Sequence, residues 1–202
     1  MHAVLEAVAG QVTSELEGLD AWQSRQHPDG KERLWSIQQV VEHLVLSYRF
    51  TAAEIEARLA KGRIAKNQRR TPLQQMLQIM VLGFGYIPQG TPALDNVAPG
   101  GTAYSSMTGR ELGRALCAEL DAMDKALDCS RGKFGMERVA VHPILGPLRV
   151  DQWRRYNALH TAHHLAQIKR VQAAVVPQSL AERSPRVGLG KEMQVPAQHP
   201  FA

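Results

Sequence analysis

The chain is poor in cysteine and in aromatic residues, and it has no long hydrophobic run. Its 202 residues include two cysteines, Cys117 and Cys129, which are too few for a disulfide framework and fit a reducing compartment. The longest apolar stretch, Ile79 to Ile87, contains two glycines and falls short of the roughly 18 residues that cross a bilayer. The N-terminus has no basic stretch before Glu6 and does not resemble a signal peptide. We therefore expect a soluble, cytoplasmic protein without a membrane partner.

Several motifs are also absent, and each absence excludes a class of site. No Cys-x-x-Cys pair occurs, which excludes a structural zinc finger. Segment 83–85, Gly-Phe-Gly, lacks the rest of a dinucleotide fingerprint, and neither a Gly-Lys-Ser/Thr phosphate loop nor a Gly-x-Ser-x-Gly nucleophile elbow is present. Segment 160–164, His-Thr-Ala-His-His, lacks the glutamate of the His-Glu-x-x-His metalloproteases.

Positive charge is concentrated in one part of the sequence. The net charge is +5, and six cations without an intervening acid lie between Arg58 and Arg70, which we call the basic segment. Such a segment can bind phosphates. It contains no aromatic residue for base stacking and accompanies no DNA- or RNA-binding motif, and its cations also complement the C-terminal dipole of the preceding helix. We do not expect nucleic-acid binding.

Apolar residues recur at helical spacing along most of the chain, and capping motifs mark the helix starts. The periodicity predicts a first helix over residues 3–20. Capping boxes, each a Ser or Thr followed three residues later by Gln or Glu, predict helix starts at Ser36, Thr71 and Thr108. We expect the helix from Ser36 to end at Gly62, the short helix from Thr71 to end at Gly83, and the last helix to cover residues 151–176.

Long connections separate these helices. Residues 83–107 are rich in glycine and proline, which is typical of a lid or wall at a functional site. A second loop covers residues 130–150, and residues 177–202 are predicted to form a tail that is disordered or lies over the body. No strand alternation is long enough for a sheet. The sequence therefore predicts an all-α four-helix bundle over residues 1–176 with a short accessory helix, in which a crossover makes the second and fourth predicted helices parallel.

The last helix carries the most informative polar residues. At about 100° per residue, His160 and His164 lie at the centre of an apolar stripe that begins at Trp153. His163 lies at the edge of that stripe. We expect Trp153 and Tyr156 to pack in the core, whereas three cations are predicted to face solvent: Arg154, Arg155 and Lys169.

Two imidazoles four residues apart on one helical face can bind a single ion, and His43 on the second predicted helix is the best candidate for a third ligand. A divalent ion would satisfy all the buried imidazoles at once, with Gln167 as a hydrogen-bonding support. The alternative is a set of neutral core histidines that are hydrogen-bonded within the protein. A fourth ligand, for which His142 and His163 are candidates, would indicate a closed structural site.

Three segments resemble motifs of the DinB/YfiT-like superfamily. Segment 35–44, Trp-Ser-x(6)-His-Leu, is similar to the second-helix motif that carries the first metal histidine. Trp153 with segment 160–168 is similar to the last-helix motif, and segment 142–148, His-Pro-Ile-Leu-Gly-Pro-Leu, resembles a subgroup of uncharacterised function. The resemblance implies a bundle of up-down-down-up topology, frequently a homodimer, with a divalent ion such as zinc or nickel bound by His43, His160 and His164.

The resemblance also implies two classes of function. Characterised members include S-transferases that use low-molecular-weight thiols. We therefore interpret the chain first as a metal-dependent thiol S-transferase, in which a thiol at an open metal position becomes the nucleophile that attacks an electrophilic substrate. The alternative is a non-catalytic, stress-associated bundle that acts as a binding or interaction module through the basic segment or the tail. An open position walled by residues 83–107 would favour catalysis.

Overall fold

The computed structural model describes residues 1–28, 34–66, 68–88, 90, 92–101 and 103–183, and for residues 176–183 it describes the backbone alone. Six α-helices and a two-stranded hairpin make up most of the regular structure of these residues. Their bounds are α1 Ala3–Leu16, α2 Ala21–Arg25, α3 Ile37–Lys61, α4 Pro72–Gln78, α5 Gly109–Phe134, β1 Arg138–His142, β2 Gly146–Arg149 and α6 Val150–Arg183. A π-helical turn, Ile79–Gly83, continues α4 to its predicted end, and a 3-10 turn covers Asp95–Val97. The predicted all-α class is confirmed.

The four long helices, α1, α3, α5 and α6, form the bundle. Arg49 pairs with Glu119 near the middle of α3 and of α5. Lys133 near the end of α5 donates a hydrogen bond to the carbonyl of Leu59 near the end of α3, so these two helices are parallel. The start of α1 and the start of α6 both contact the second half of α5, and the chain that follows α1 contacts the start of α5. α1 and α6 therefore run in the opposite direction to α5. The order is therefore up-down-down-up, with the long crossover between α3 and α5.

The capping boxes form as predicted. Ser36, Thr71 and Thr108 each accept a hydrogen bond from the backbone three residues on, and the side chain of that third residue returns one. A fourth box, at Asp20, begins the short helix α2, which periodicity missed because five residues are too few to show a pattern. α1 ends at Leu16, four residues earlier than predicted, and α3 ends at Gly62 in the left-handed conformation that glycine favours.

The second predicted loop, over residues 130–150, contains regular structure. α5 continues to Phe134, and residues 138–149 form the antiparallel hairpin β1–β2. Periodicity did not reveal the hairpin because its strands are short and Pro147 lies within the second one.

The last helix and the tail also differ from expectation. The backbone of α6 is helical to Arg183, seven residues past the predicted end at Val176, and the rest of the predicted tail lies outside the described residues. Among the described helices, none combines the length and the apolar character that crossing a membrane requires.

The core lies between the four long helices and includes one buried ion pair. Arg154 was predicted to face solvent, but its side chain is only 9% exposed, and its Nε donates to Asp124 Oδ1 at 2.7 Å. Asp124 Oδ2 also accepts from the His2 backbone amide at 2.6 Å. The prediction was wrong because this side of α6 faces α5 and the start of α1. Arg155 and Lys169 are exposed, as predicted.

Candidate metal centre

Three histidines meet between α3 and α6. His43 is 5%, His160 8% and His164 7% exposed. One ring nitrogen from each lies within 4.8 Å of the others, and the described residues contain no other group of three or more such ligands. The structure thus brings together His43 on α3 with His160 and His164 on α6, the three histidines that were predicted from the sequence to lie close together.

The distances between these nitrogens suit a single small ion. His43 Nε2 lies 3.3 Å from His160 Nε2, and His164 Nε2 lies 3.1 Å from the same atom. Tetrahedral zinc holds imidazole nitrogens at about 2.0–2.1 Å, which separates two ligand atoms by about 3.3–3.4 Å. The two measured separations are close to that value without any rearrangement of the helices.

Hydrogen bonds at the outer ring nitrogens fix the orientation of two of the rings. His43 Nδ1 lies 2.8 Å from the Val97 carbonyl oxygen, which can only accept, so the hydrogen of the neutral ring is on Nδ1. His164 Nδ1 lies 2.8 Å from Gln167 Oε1, which has the same consequence and is the support expected of Gln167. Both rings therefore point an Nε2 lone pair toward His160.

The ring of His160 cannot provide a separate hydrogen-bond donor to each of the two lone pairs that point toward it. A neutral imidazole carries one N–H, and His160 faces two lone pairs through Nε2 while its buried Nδ1 has no hydrogen-bond partner among the described residues. With the hydrogen on Nε2, one N–H must serve two acceptors. With it on Nδ1, three lone pairs converge. A cation that accepts all three lone pairs removes the conflict, so the donor set fits a divalent ion.

Burial keeps the three imidazoles neutral, which is the form that binds a metal. Loss of hydration lowers the pKa of His43 and lowers that of His164 to about 3. The pKa of His160 lies well below its usual range, first because of burial and then because of the neighbouring His164 and His43 rings.

Two aromatic residues pack against the histidines. The Trp35 ring centroid lies 5.1 Å from that of His43, and the Tyr156 ring stacks on His160 at 5.4 Å. Tyr156 was predicted only to pack in the core, and Trp35 was noted only as part of a family motif. Tyr156 precedes His160 by one turn of α6, and Trp35 directly precedes the N-cap of α3, so both rings line the cavity beside the histidines.

A cavity of about 660 Å³ opens onto the three histidines. Its walls are largely apolar, and Arg170 is the one charged residue among the described residues that line it. Residues of the 83–107 connection form one wall, as the sequence predicted: Ile87, Pro88, Gly90, Pro92, Ala93, Leu94, Asn96 and Val97. The histidine group is thus buried in the protein and yet borders a space large enough for a small molecule.

Glu42, next to His43, fastens this connection to α3. Its Oε1 accepts hydrogen bonds from the amides of Gly101 at 2.8 Å and Gly100 at 3.4 Å. The same connection supplies the Val97 carbonyl that orients His43. Sequence reasoning missed Glu42 because its partners are backbone groups almost sixty residues away, and no side-chain pattern marks them.

Gly101→Ala is expected to weaken metal binding about 10- to 100-fold, the usual cost of disturbing a group that supports a ligand. A Cβ at position 101 would lie 2.7 Å from Glu42 Oε1, so the carboxylate or the connection must shift, and either shift breaks the hydrogen bond that fastens the connection to α3. Gly100→Ala is the matched control, because no atom lies within 4 Å of a Cβ there. Competition with a chromogenic chelator measures both affinities, and equal values for the two variants would contradict this role of Glu42.

Neither candidate fourth ligand belongs to the histidine group. His142 Nδ1 accepts hydrogen bonds from the amides of Ile144 and Leu145, each at 3.1 Å. His163 is half-buried, and its ring centroid lies 5.1 Å from that of His164, outside the convergent nitrogens. Among the described residues the group therefore consists of three histidines.

No described residue of the basic segment lines the cavity beside the histidines, and its positive charge continues onto the hairpin. Arg70 donates to Gln78 Oε1 at 2.6 Å. Its pKa is lowered first by burial and then by the positive charges of Arg138 and Arg149, which are opposite each other on β1 and β2. No described carboxylate forms an ion pair with any of these three arginines.

Comparison with known proteins identifies one family. A family model described as the DinB superfamily matches residues 5–168, which is most of the chain and includes all three histidines. No curated protein and no solved structure gives a significant match to this sequence.

Proposed function

This chain belongs to the DinB superfamily, and we propose that it is a divalent-metal-dependent thiol S-transferase whose ion is held by His43, His160 and His164. The observation that carries the proposal is the convergence of three neutral imidazoles, without a fourth described protein ligand, on the edge of a small-molecule cavity. Zinc and nickel are the expected ions, because both suit imidazole nitrogen.

A bound divalent ion would supply Lewis acidity, which lowers the pKa of a coordinated thiol toward neutrality. The protein contributes position and environment. Val97 and Gln167 hold two of the ligand rings in the required tautomer, and the stacked Tyr156 restricts the third. The largely apolar walls surround the space in which a low-molecular-weight thiol and an electrophilic substrate would meet.

The charge of the cavity supports an anionic ligand. Arg170 is its one charged described residue, so a thiol that carries a carboxylate is favoured over one that carries an ammonium group. For the cobalt-loaded protein we expect Arg170→Gln to lower the preference for mercaptoacetate over cysteamine roughly two- to fivefold, the effect of one solvent-exposed charge. Thiolate-to-cobalt absorption measures both dissociation constants. If neither thiol produces such absorption in the unsubstituted protein, the thiol-transferase proposal is wrong.

The alternative function is a non-catalytic interaction module, and one observation favours it. Arg70, Arg138 and Arg149 form a cationic cluster at the edge of the basic segment without a described acidic partner. Such a cluster suits an anionic surface on a partner. A chain that binds metal but no thiol would support this alternative, which does not require the nucleic-acid binding that the sequence argues against.

We also propose a cytoplasmic homodimer. Both cysteines are unpaired, which suits a reducing compartment. Segment 71–94 contains no charged residue and exposes Leu73, Met76, Ile79 and Phe84, the last of them 82% exposed. In a dimer with a two-fold axis, the same segment of each copy can lie face to face. Because segment 71–94 is uncharged, such a contact brings no like charges together.

Phe84→Glu is expected to convert the dimer to a monomer, because two carboxylates would then lie in the apolar contact. The unsubstituted protein should sediment at twice the chain mass of 22.3 kDa, and the variant at the chain mass itself. Met136→Glu is the control, since Met136 is also more than half exposed but lies outside segment 71–94. Sedimentation of the unsubstituted chain as a monomer at micromolar concentration would contradict the dimer.

A further inference from the structure

His142 ends β1 and is held in place by the turn that follows it. Its Nδ1 accepts from the backbone amides of Ile144 and Leu145, both at 3.1 Å. Two N–H donors at one nitrogen require a lone pair there, so the hydrogen of the neutral ring is on Nε2. The turn thus selects one tautomer and one ring orientation.

The other edge of this ring belongs to the cavity that borders the histidine group. His142 lines the cavity, and its Nε2–H makes no hydrogen bond to a described residue. Because the Nδ1 edge faces the turn, the Nε2 edge is the one available to the cavity. Burial lowers the pKa of His142 to about 4, so the ring remains a neutral donor near pH 7.

Tyr156 links His142 to the proposed metal centre. The His142 ring meets Tyr156 edge-on, with centroids 4.4 Å apart, and Tyr156 also stacks on the ring of His160 at 5.4 Å. One aromatic ring therefore separates the fixed donor from a proposed metal ligand. A small molecule in the cavity can reach both.

We infer that His142 is a ligand-recognition residue, whose Nε2–H donates a hydrogen bond to a carboxylate or carbonyl oxygen of the molecule that binds beside the three histidines. This inference rests on the proposed function for the identity of the ligand as a thiol. The assignment of Nε2–H as a donor rests only on the hydrogen bonds of the turn and on the position of His142 in the cavity lining. A carboxylate is the acceptor that the cavity lacks, since none occurs among its described lining residues. The fixed tautomer also explains why His142 is not a fourth metal ligand.

The test compares two thiols that differ in the acceptor. Mercaptoacetate carries a carboxylate and ethanethiol does not. In His142→Asn the amide oxygen can replace Nδ1 as acceptor for the turn, while the Nε2–H donor is lost. For the cobalt-loaded protein we expect this variant to bind mercaptoacetate about 10- to 100-fold more weakly, the effect of losing a hydrogen bond to a charged group, and ethanethiol unchanged. His27→Asn, the same substitution outside the cavity lining, is the matched control.

Each outcome decides between the two proposals. If His142→Asn weakens the binding of both thiols equally, or of neither, the role of His142 is overturned while thiol binding stands. If neither thiol binds the unsubstituted protein, thiol activation fails, and acetate then tests His142 alone. Long-range proton–nitrogen NMR of the zinc-loaded protein should show His142 with its hydrogen on Nε2 and a shift of that nitrogen on acetate addition. A hydrogen on Nδ1, or no shift at saturating acetate, overturns the inference.

Discussion

Replacing His160 with alanine is expected to abolish stoichiometric binding of zinc or nickel. His160 Nε2 is the atom that lies within 3.3 Å of both other Nε2 atoms, so its removal leaves only two histidines, on separate helices, and takes away the ring nitrogen between them. Loss of a group that merely supports a ligand weakens binding about 10- to 100-fold, and loss of the central ligand should exceed that range. Competition with a chelator of known affinity measures the change.

Thermal unfolding gives an independent measure of the same substitution. Free metal at about 100 times its dissociation constant stabilises a native protein by about 2.7 kcal/mol, which for a chain of this size raises Tm by roughly 5–11 °C. We expect that rise in the unsubstituted protein and none in His160→Ala. His163→Ala is the control, because His163 lies beside the group without joining it. A full rise in His160→Ala would show that the ion binds elsewhere.

Arg154→Ala is expected to destabilise the fold by about 3–5 kcal/mol, because it leaves a buried carboxylate without its charge partner. The Asp124 side chain is only 1% exposed, and its other oxygen is already used by the His2 amide. For a chain of this size the loss corresponds to a fall in Tm of roughly 6–20 °C. Chemical denaturation followed by circular dichroism measures the free energy of unfolding.

Two further variants separate the buried pair from its exposed neighbour. Asp128 also contacts Arg154, but its side chain is 67% exposed, so Asp128→Asn should cost less than about 1 kcal/mol. Asp124→Asn in the Arg154→Ala background removes the unpaired charge and should recover part of the loss. If Arg154→Ala lowers the free energy of unfolding no more than Asp128→Asn does, the Arg154–Asp124 pair does not join α6 to α5 and to the start of α1 as described.

Much of the fold follows from local sequence signals. The capping boxes at Ser36, Thr71 and Thr108 fix helix starts through side chains three residues apart, and such local geometry can be read without the fold. The hairpin could not be predicted in the same way. Its strands are short, and they pack against α3 and α6, contacts that no local pattern records.

The site was predictable to the extent that its residues share one helix. His160 and His164 occupy one face by spacing alone, and His43 was the best candidate for a third ligand by its place on another predicted helix, a choice that the family resemblance supported. Glu42, with its backbone partners in the distant connection, could not be inferred. The burial of Arg154 was missed for a related reason. A helical wheel gives the angle of a side chain but not which neighbouring helix carries a carboxylate at that angle.

The central claim is that three histidines bind one divalent ion, and elemental analysis of the chain purified without chelator tests it most directly. We expect about one zinc or nickel ion per chain, the stoichiometry of a single three-histidine site. His43→Ala, purified in the same way, should contain almost none. Absence of metal from the unsubstituted protein, even after incubation with zinc and nickel, would contradict the claim, and so would equal metal content in the two proteins.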